Sequence, residues 1–128
     1  MPPRPRVLVI EDDAALRKVL ELRLTIEGFE VAVACDGQAG LDTIDDFVPD
    51  AVISDLMMPR LDGYGFCRAA RARPGLEHLP ILLLSAHQRD GEVDEILRLG
   101  SIEYMTKPFD AATLAGTLRR LTGAAGGG

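Results

Sequence analysis

Glu11, Asp12 and Asp13 follow the apolar run Val7-Leu8-Val9-Ile10, and Asp55 follows Ala51-Val52-Ile53-Ser54. Ser85 follows Ile81-Leu82-Leu83-Leu84, and Lys107-Pro108 follows Ile102–Thr106. Taken singly, most of these residues have ordinary explanations. Asp13 suits a helix cap; Glu11 and Asp12 suit a solvated loop; Ser85 suits a loop or helix entry; and Lys107 suits a surface lysine lying along apolar neighbours. Asp55 is harder to explain in this way, because Leu56, Met57, Met58 and Pro59 offer it little polar company. Taken together, the residues place carboxylates, a hydroxyl and an ammonium just past the ends of apolar segments. Two carboxylates about 4 Å apart repel by roughly 4 kcal/mol at an effective dielectric near 20, so Glu11, Asp12 and Asp55 cannot all stay ionised without a counter-cation. Mg²⁺ suits such a hard oxygen set, and Mn²⁺ can substitute. Beside that ion Asp55 is a nucleophile toward a phosphoryl group, with Lys107 as a positive point charge and Ser85 as a donor to the phosphoryl oxygens.

The elements that must position these residues are legible from periodicity. Val7–Ile10 is a strand, followed by a helix from about Ala14 to Glu27 whose apolar positions Leu16, Val19, Leu20 and Leu24 recur at helical spacing, with Gly28 at its end. Glu30–Ala34 alternates as an outer strand does. Leu41, Ile44 and Val48 mark a second helix that stops before Pro49, and Ala51–Ser54 is a buried strand. A third helix runs from about Gly63 to Arg73 with Phe66, Ala69 and Ala70 inward, closed by Pro74-Gly75. Ile81–Leu84 is the most apolar strand. A fourth helix carries Val93, Ile96 and Leu97; after Gly100 come a fifth strand, Ile102–Thr106, and a fifth helix with Leu114, Leu118 and Leu121. Strict alternation predicts parallel strands with right-handed crossovers, and apolar central strands need cover on both faces. The fold class is α/β, an open doubly wound sandwich whose ligands sit beyond the carboxyl ends of the strands.

Composition narrows the function classes. The chain has 128 residues, which fits one domain, and a net charge of −6, which argues against a surface that grips nucleic-acid phosphates. Cys35 and Cys67 are too few for a disulfide framework or a four-ligand zinc site, and are expected as buried or half-buried thiols. No apolar run reaches the roughly 20 residues of a membrane-spanning helix, and Arg4 and Arg6 precede no signal core. The expectation is a cytoplasmic protein with no membrane insertion and no direct nucleic-acid contact. Residues 1–5, with Pro2, Pro3 and Pro5, are expected as a flexible lead, residues 6–122 as the domain, and residues 123–128 as a flexible Gly/Ala tail.

The stretches Val7–Asp13, Ser54–Gly63, Leu84-Ser85-Ala86 and Tyr104-Met105-Thr106-Lys107-Pro108-Phe109 together resemble the receiver domain of two-component response regulators, the CheY-like family. The resemblance covers roughly residues 6 to 122. It implies a flavodoxin-like three-layer sandwich around a five-stranded parallel sheet in the order 2-1-3-4-5. It further implies that Asp55 accepts a phosphoryl group from a histidine kinase or a histidine phosphotransfer protein, as a signalling domain that assists its own Mg²⁺-dependent transfer and dephosphorylation. In that pattern Glu11, Asp12, Asp55 and the backbone carbonyl of Met57 hold the Mg²⁺, Lys107 and Ser85 contact the phosphoryl group, and Ser85 and Tyr104 form the switch. Pro108 matches a cis-proline, and Met57 and His87 match two positions that tune hydrolysis. The implied output is a shift on the face of the fourth helix, fifth strand and fifth helix, read by a partner protein from a monomer or a weak phosphorylation-dependent dimer.

Two departures from the common pattern matter. Gly100-Ser101-Ile102-Glu103 stands where many transcription-type receivers have Gly-Ala-Asp-Asp, and the fifth helix lacks the charge pattern of their shared dimer. Met57 and His87 offer no carboxylate or amide to orient a water, so slow self-dephosphorylation is expected. Rival classes fit less well. A flavodoxin-like cofactor binder needs neutral phosphate donors where Glu11-Asp12-Asp13 stand. An Asp-x-Asp phosphatase needs an acid where Met57 stands, and no glycine-rich nucleotide loop follows a strand. An interaction module that has lost phosphorylation would not need the full set of site residues.

Overall fold

In a computed structural model of the chain, residues 4–86 and 90–123 are described. The elements alternate as β1 (Arg6–Ile10), α1 (Ala14–Ile26), β2 (Glu30–Ala34), α2 (Gly37–Phe47), β3 (Ala51–Asp55), α3 (Gly63–Arg71), β4 (Ile81–Ser85), α4 (Gly91–Leu97), β5 (Ile102–Thr106) and α5 (Ala111–Thr122). The strands form one parallel sheet in the order β2-β1-β3-β4-β5, the expected doubly wound arrangement.

The three central strands explain why their sequences are continuously apolar. Leu8, Ile10, Val52, Ile81 and Leu83 point to one face, packed with Leu41, Ile44, Phe66, Cys67, Val93 and Ile96 from α2, α3 and α4. Val7, Val9, Ala51, Ile53, Leu82 and Leu84 point to the other, packed with Leu20, Leu24, Leu114 and Leu118 from α1 and α5. Because side chains alternate across a strand, both sets must be apolar when both faces are covered. Each such side chain contributes roughly 1.5–3 kcal/mol on burial.

An aspartate caps every helix described. The side chains of Asp13, Asp36, Asp62, Asp90 and Asp110 accept backbone N–H groups from the first turns of α1 to α5. Asp13 is thus the cap that its position implied, its Oδ1 taking Ala15 N at 2.9 Å and Leu16 N at 3.2 Å.

Several local expectations are corrected. Val19 is 53% exposed, because α1 turns only Leu20 and Leu24 fully into the core. Val48 is exposed and sits past the end of α2 as its left-handed cap, since Pro49 forbids a further turn. The third helix stops at Arg71 rather than Arg73. Cys67 is buried as expected, but Cys35 is exposed at the end of β2. Of the lead and tail, residues 1–3 and 124–128 lie outside the described residues; Pro5 O accepts Glu30 N at 2.9 Å, and Gly123 caps α5.

Replacing Asp13 with Ala removes the acceptor for two otherwise unpaired N–H groups, so Asp13→Ala should lower stability by about 1 kcal/mol while Asp13→Asn stays within a few tenths. Urea unfolding in Mg²⁺-free buffer checks this, and equal losses in the two variants would contradict it.

Candidate functional site

The carboxyl edge of the sheet collects the residues that the sequence marks for chemistry. Glu11 directly follows β1. Its N–H donates to Ala34 O at 3.0 Å, and its own carbonyl accepts Arg17 Nη1 at 2.8 Å, which fixes the backbone on both sides. Its side chain is 2% exposed, and Oε2 accepts Asp13 N at 3.2 Å. Asp55 closes β3, where Oδ1 accepts Leu56 N at 2.8 Å and orients the carboxylate. Asp12 is exposed on the same rim, and ligand atoms of Glu11, Asp12 and Asp55 lie within 4.8 Å of one another.

Lys107 enters from the far strand. Its N–H donates to Ser85 O at 2.7 Å, and its bond to Pro108 is cis. Its Nζ lies 3.2 Å from Glu11 Oε1 and 3.5 Å from Asp55 Oδ2. Burial works against the ammonium, but Glu11 and Asp55 outweigh it and hold the Lys107 pKa above its ordinary value. Burial pushes Glu11 up to about 7; the nearby Asp55 charge adds to that, while the Asp13 amide and Lys107 oppose it. Among the described residues, the Lys107 ammonium thus meets two of the three clustered carboxylates, those of Glu11 and Asp55.

The donor set fits a hard divalent cation. Carboxylate oxygens this close, one of them on a buried residue, offer the oxygen ligands and negative charge that Mg²⁺ prefers, and Asp12 is exposed to water at the rim. A cation here also relieves the desolvation of Glu11, because it favours the ionised form.

The other expected site residues are placed as follows. Ser85 ends β4 and is buried at 1% exposure. Tyr104, in β5, is half-buried against the cluster that includes Val93 and Ile96 of α4. Met57 is 56% exposed in the loop between β3 and α3. His87 lies outside the described residues. The loop passes so near the strand end that a Cβ on Gly63 would lie 2.6 Å from Asp55 O, and Gly63 N donates to Leu56 O at 2.9 Å. Glycine is required there by close approach.

Two features were not anticipated from the sequence. An apolar cavity of about 430 Å³ adjoins Lys107, walled by Leu16, Val19, Leu20, Pro108 and Phe109 among others. Asp36 and Arg60 also pair across two loops. The signal for Asp36 is its position before α2, the same that marks Asp13; nothing local to Arg60 announces its partner. No helix among the described residues is long and apolar enough to cross a membrane.

Comparison with known proteins agrees with this geometry. Residues 7–119 match the family model of the response regulator receiver domain. The chain is 41% identical over 116 residues to response regulator MprA of Mycolicibacterium vanbaalenii, covering 91% of this chain and 49% of that protein. It is 36% identical over 117 residues to response regulator PleD of Caulobacter vibrioides, covering 91% of this chain and 26% of that one. The chain therefore spans about half or less of these relatives. Among solved structures, chemotaxis response regulator CheY4 of Vibrio cholerae superposes with a TM-score of 0.84 at 30% identity, covering 92% of this chain and 98% of that one. The receiver domain of sensor histidine kinase PA1611 from Pseudomonas aeruginosa, which has a magnesium ion coordinated in its active site cleft, superposes with a TM-score of 0.84 at 30% identity, covering 94% and 99%. The sheet order, the acidic rim around Lys107 and the match over nearly the whole chain lead to one assignment: this chain belongs to the response regulator receiver domain family.

Proposed function

We propose that Asp55 is a phosphoacceptor that takes a phosphoryl group from the phosphohistidine of a histidine kinase or histidine phosphotransfer protein. The observation that carries this reading is the placement of Asp55 Oδ2 beside Lys107, on a rim where the carboxylates of Glu11, Asp12 and Asp55 cluster. A carboxylate oxygen of Asp55 attacks phosphorus, the P–O bond forms as the P–N bond breaks, and the histidine nitrogen leaves with the bonding electron pair. Glu11, Asp12, Asp55 and the carbonyl of Met57 hold Mg²⁺, or Mn²⁺ in its place. When bound, the ion neutralises charge on the phosphoryl oxygens. Lys107 supplies a second positive charge beside Asp55 Oδ2, and the Leu56 amide keeps the Asp55 carboxylate oriented.

The signal leaves through the α4-β5-α5 face. Ser85 donates to a phosphoryl oxygen, and Tyr104, packed beside α4, changes position as the Ser85 side chain is drawn toward the site. This is a shift between populations that exist beforehand. A partner protein reads the result, and the domain acts as a monomer or a weak phosphorylation-dependent dimer.

The donor must cover the rim to reach Asp55, so the apolar cavity beside Lys107 is the surface that its docking buries. Val19, 53% exposed on α1, lines that cavity and is an apolar side chain that docking there covers. Met57 offers no polar group to align a water, which favours a long-lived phosphoryl group.

Intact-mass spectrometry after incubation with acetyl phosphate tests the reaction. One phosphoryl adduct is expected that requires both Mg²⁺ and Asp55, is absent in Asp55→Asn, and decays several-fold faster in Met57→Asn by orienting of water. An adduct retained in Asp55→Asn, or none in wild type with this donor and none with beryllofluoride, contradicts the reading; unchanged decay in Met57→Asn removes the tuning role of Met57. For docking, Val19→Asp should slow transfer from a cognate phosphohistidine protein by roughly tenfold or more, through loss of apolar contact worth about 1–2 kcal/mol, while leaving the acetyl phosphate rate unchanged. Equal rates from the protein donor in both forms would move the docking surface elsewhere.

A further inference from the structure

The connection between β3 and α3, residues 56–62, bears Met57, whose carbonyl the reading above assigns to the cation, and its course is held at a point remote from Asp55. Gly37, the first residue of α2, donates its N–H to Leu61 O at 3.0 Å. A Cβ on Gly37 would lie 2.4 Å from that oxygen, so the two loops touch backbone to backbone. One residue earlier, Arg60 has φ 67, a left-handed conformation that a residue with a side chain enters at a cost. The contact that offsets this is an ion pair. Arg60 Nε donates to Asp36 Oδ2 at 2.7 Å, and Nη2 donates to the same oxygen. Asp36 Oδ1 accepts Ala39 N at 2.9 Å, so both oxygens of a side chain only 4% exposed are engaged. The Ala39 amide, with Arg60 beside it, holds the Asp36 carboxyl below its usual range.

This differs from an ordinary surface ion pair, which contributes little. Asp36 is buried and capped in place, so it is a fixed anchor, whereas Arg60 is 66% exposed and fills no core space. The guanidinium therefore acts on the backbone that bears it.

We propose that Asp36 and Arg60 are a positioning pair that holds the 56–62 loop in the conformation from which Met57 and Asp55 serve the cation and the phosphoryl group. The inference rests on the reading of the site given above. Loss of either partner frees the loop at Arg60 without emptying the core. Arg60→Lys keeps the charge but not the planar fork, and retains part of the effect. Asp36→Asn keeps the α2 cap and removes the charge.

The test is calorimetric titration of the full chain with Mg²⁺, on wild type, Arg60→Gln, Arg60→Lys, Asp36→Asn and the Asp36→Asn/Arg60→Gln double variant. Amide hydrogen exchange over residues 56–62 and melting are measured in Mg²⁺-free buffer. Each of Arg60→Gln and Asp36→Asn should weaken Mg²⁺ binding by roughly threefold to tenfold, below the ten- to hundredfold typical of groups bonded directly to a metal ligand. The double variant should be no weaker than the singles, Arg60→Lys should fall between, and exchange in the loop should accelerate in every variant that weakens binding. Arg60→Lys and Asp36→Asn carry the test if Arg60→Gln loses its cooperative melt. Wild-type affinity and exchange in both single variants, or losses that multiply in the double variant, overturn the positioning pair alone. A wild type that binds no Mg²⁺ overturns the reading of the site and the inference with it.

Discussion

The structure turns on an imbalance of charge. Ligand atoms of Glu11, Asp12 and Asp55 lie within 4.8 Å of one another, and among the described residues the Lys107 ammonium pairs with two of these carboxylates, those of Glu11 and Asp55. Like charges so close are costly, and burial of Glu11 makes its ionised form costlier still. The chain accepts this in a place where three strands end. The carboxylates come from β1 and β3, neighbours in the sheet, and the ammonium from beyond β5, which the order β1-β3-β4-β5 brings to the same edge. A fold in which parallel strands all end on one side supplies such convergence as a matter of geometry.

Aspartate serves this chain both as helix cap and as site carboxylate, and the separation of these two roles explains how an acidic protein keeps a specific site. Asp13, Asp36, Asp62, Asp90 and Asp110 meet helix N–H groups, so their charge is compensated by the backbone. Asp12 and Asp55 are not used as caps and face one another across the rim. Asp36 does more than cap, because it meets the first turn of α2 with one oxygen and Arg60 with the other. Rigidity comes from the sheet. Val7 to Ile10 and Ile81 to Ser85 are almost fully buried, and side chains packed that closely do not drift to relieve repulsion at the strand ends.

Much of this was legible in the sequence because it follows from local rules. Val7-Leu8-Val9-Ile10 and Ile81-Leu82-Leu83-Leu84 are unbroken apolar runs because both faces of the central sheet are covered, and the polar residue after each run falls at the carboxyl edge of the sheet. Asp13 was readable as a cap, and Asp36, Asp62, Asp90 and Asp110 obey the same rule. What was not legible depends on partners distant in the chain. Val19 shares the helical spacing of Leu20 and Leu24, but which flank of α1 stays open is decided by where α5 and the Pro108-Phe109 turn sit. Val48 continues the pattern of Leu41 and Ile44, yet Pro49 ends the helix first. Cys35 departs from the burial that composition favours for cysteine because the end of an edge strand is open. The pairing of Arg60 with Asp36 spans 24 residues and follows no spacing rule.

The charge imbalance itself is open to direct measurement. Glu11 in the folded chain titrates near 7, from an ordinary value of 4.5, so between those values the folded state keeps a proton that the unfolded state has lost. Without a cation, that contribution to stability is present on the acid side and is lost as pH rises through about 7. A divalent cation competes for the same site as the proton. Calorimetric Mg²⁺ titrations from pH 5.5 to 8, in buffers of differing ionisation enthalpy, should show affinity rising with pH toward about 7 and then levelling, with proton release on the acid side that disappears in Glu11→Gln. Affinity independent of pH, or no binding of Mg²⁺ at millimolar concentration, would contradict the view that these carboxylates are gathered to hold a cation.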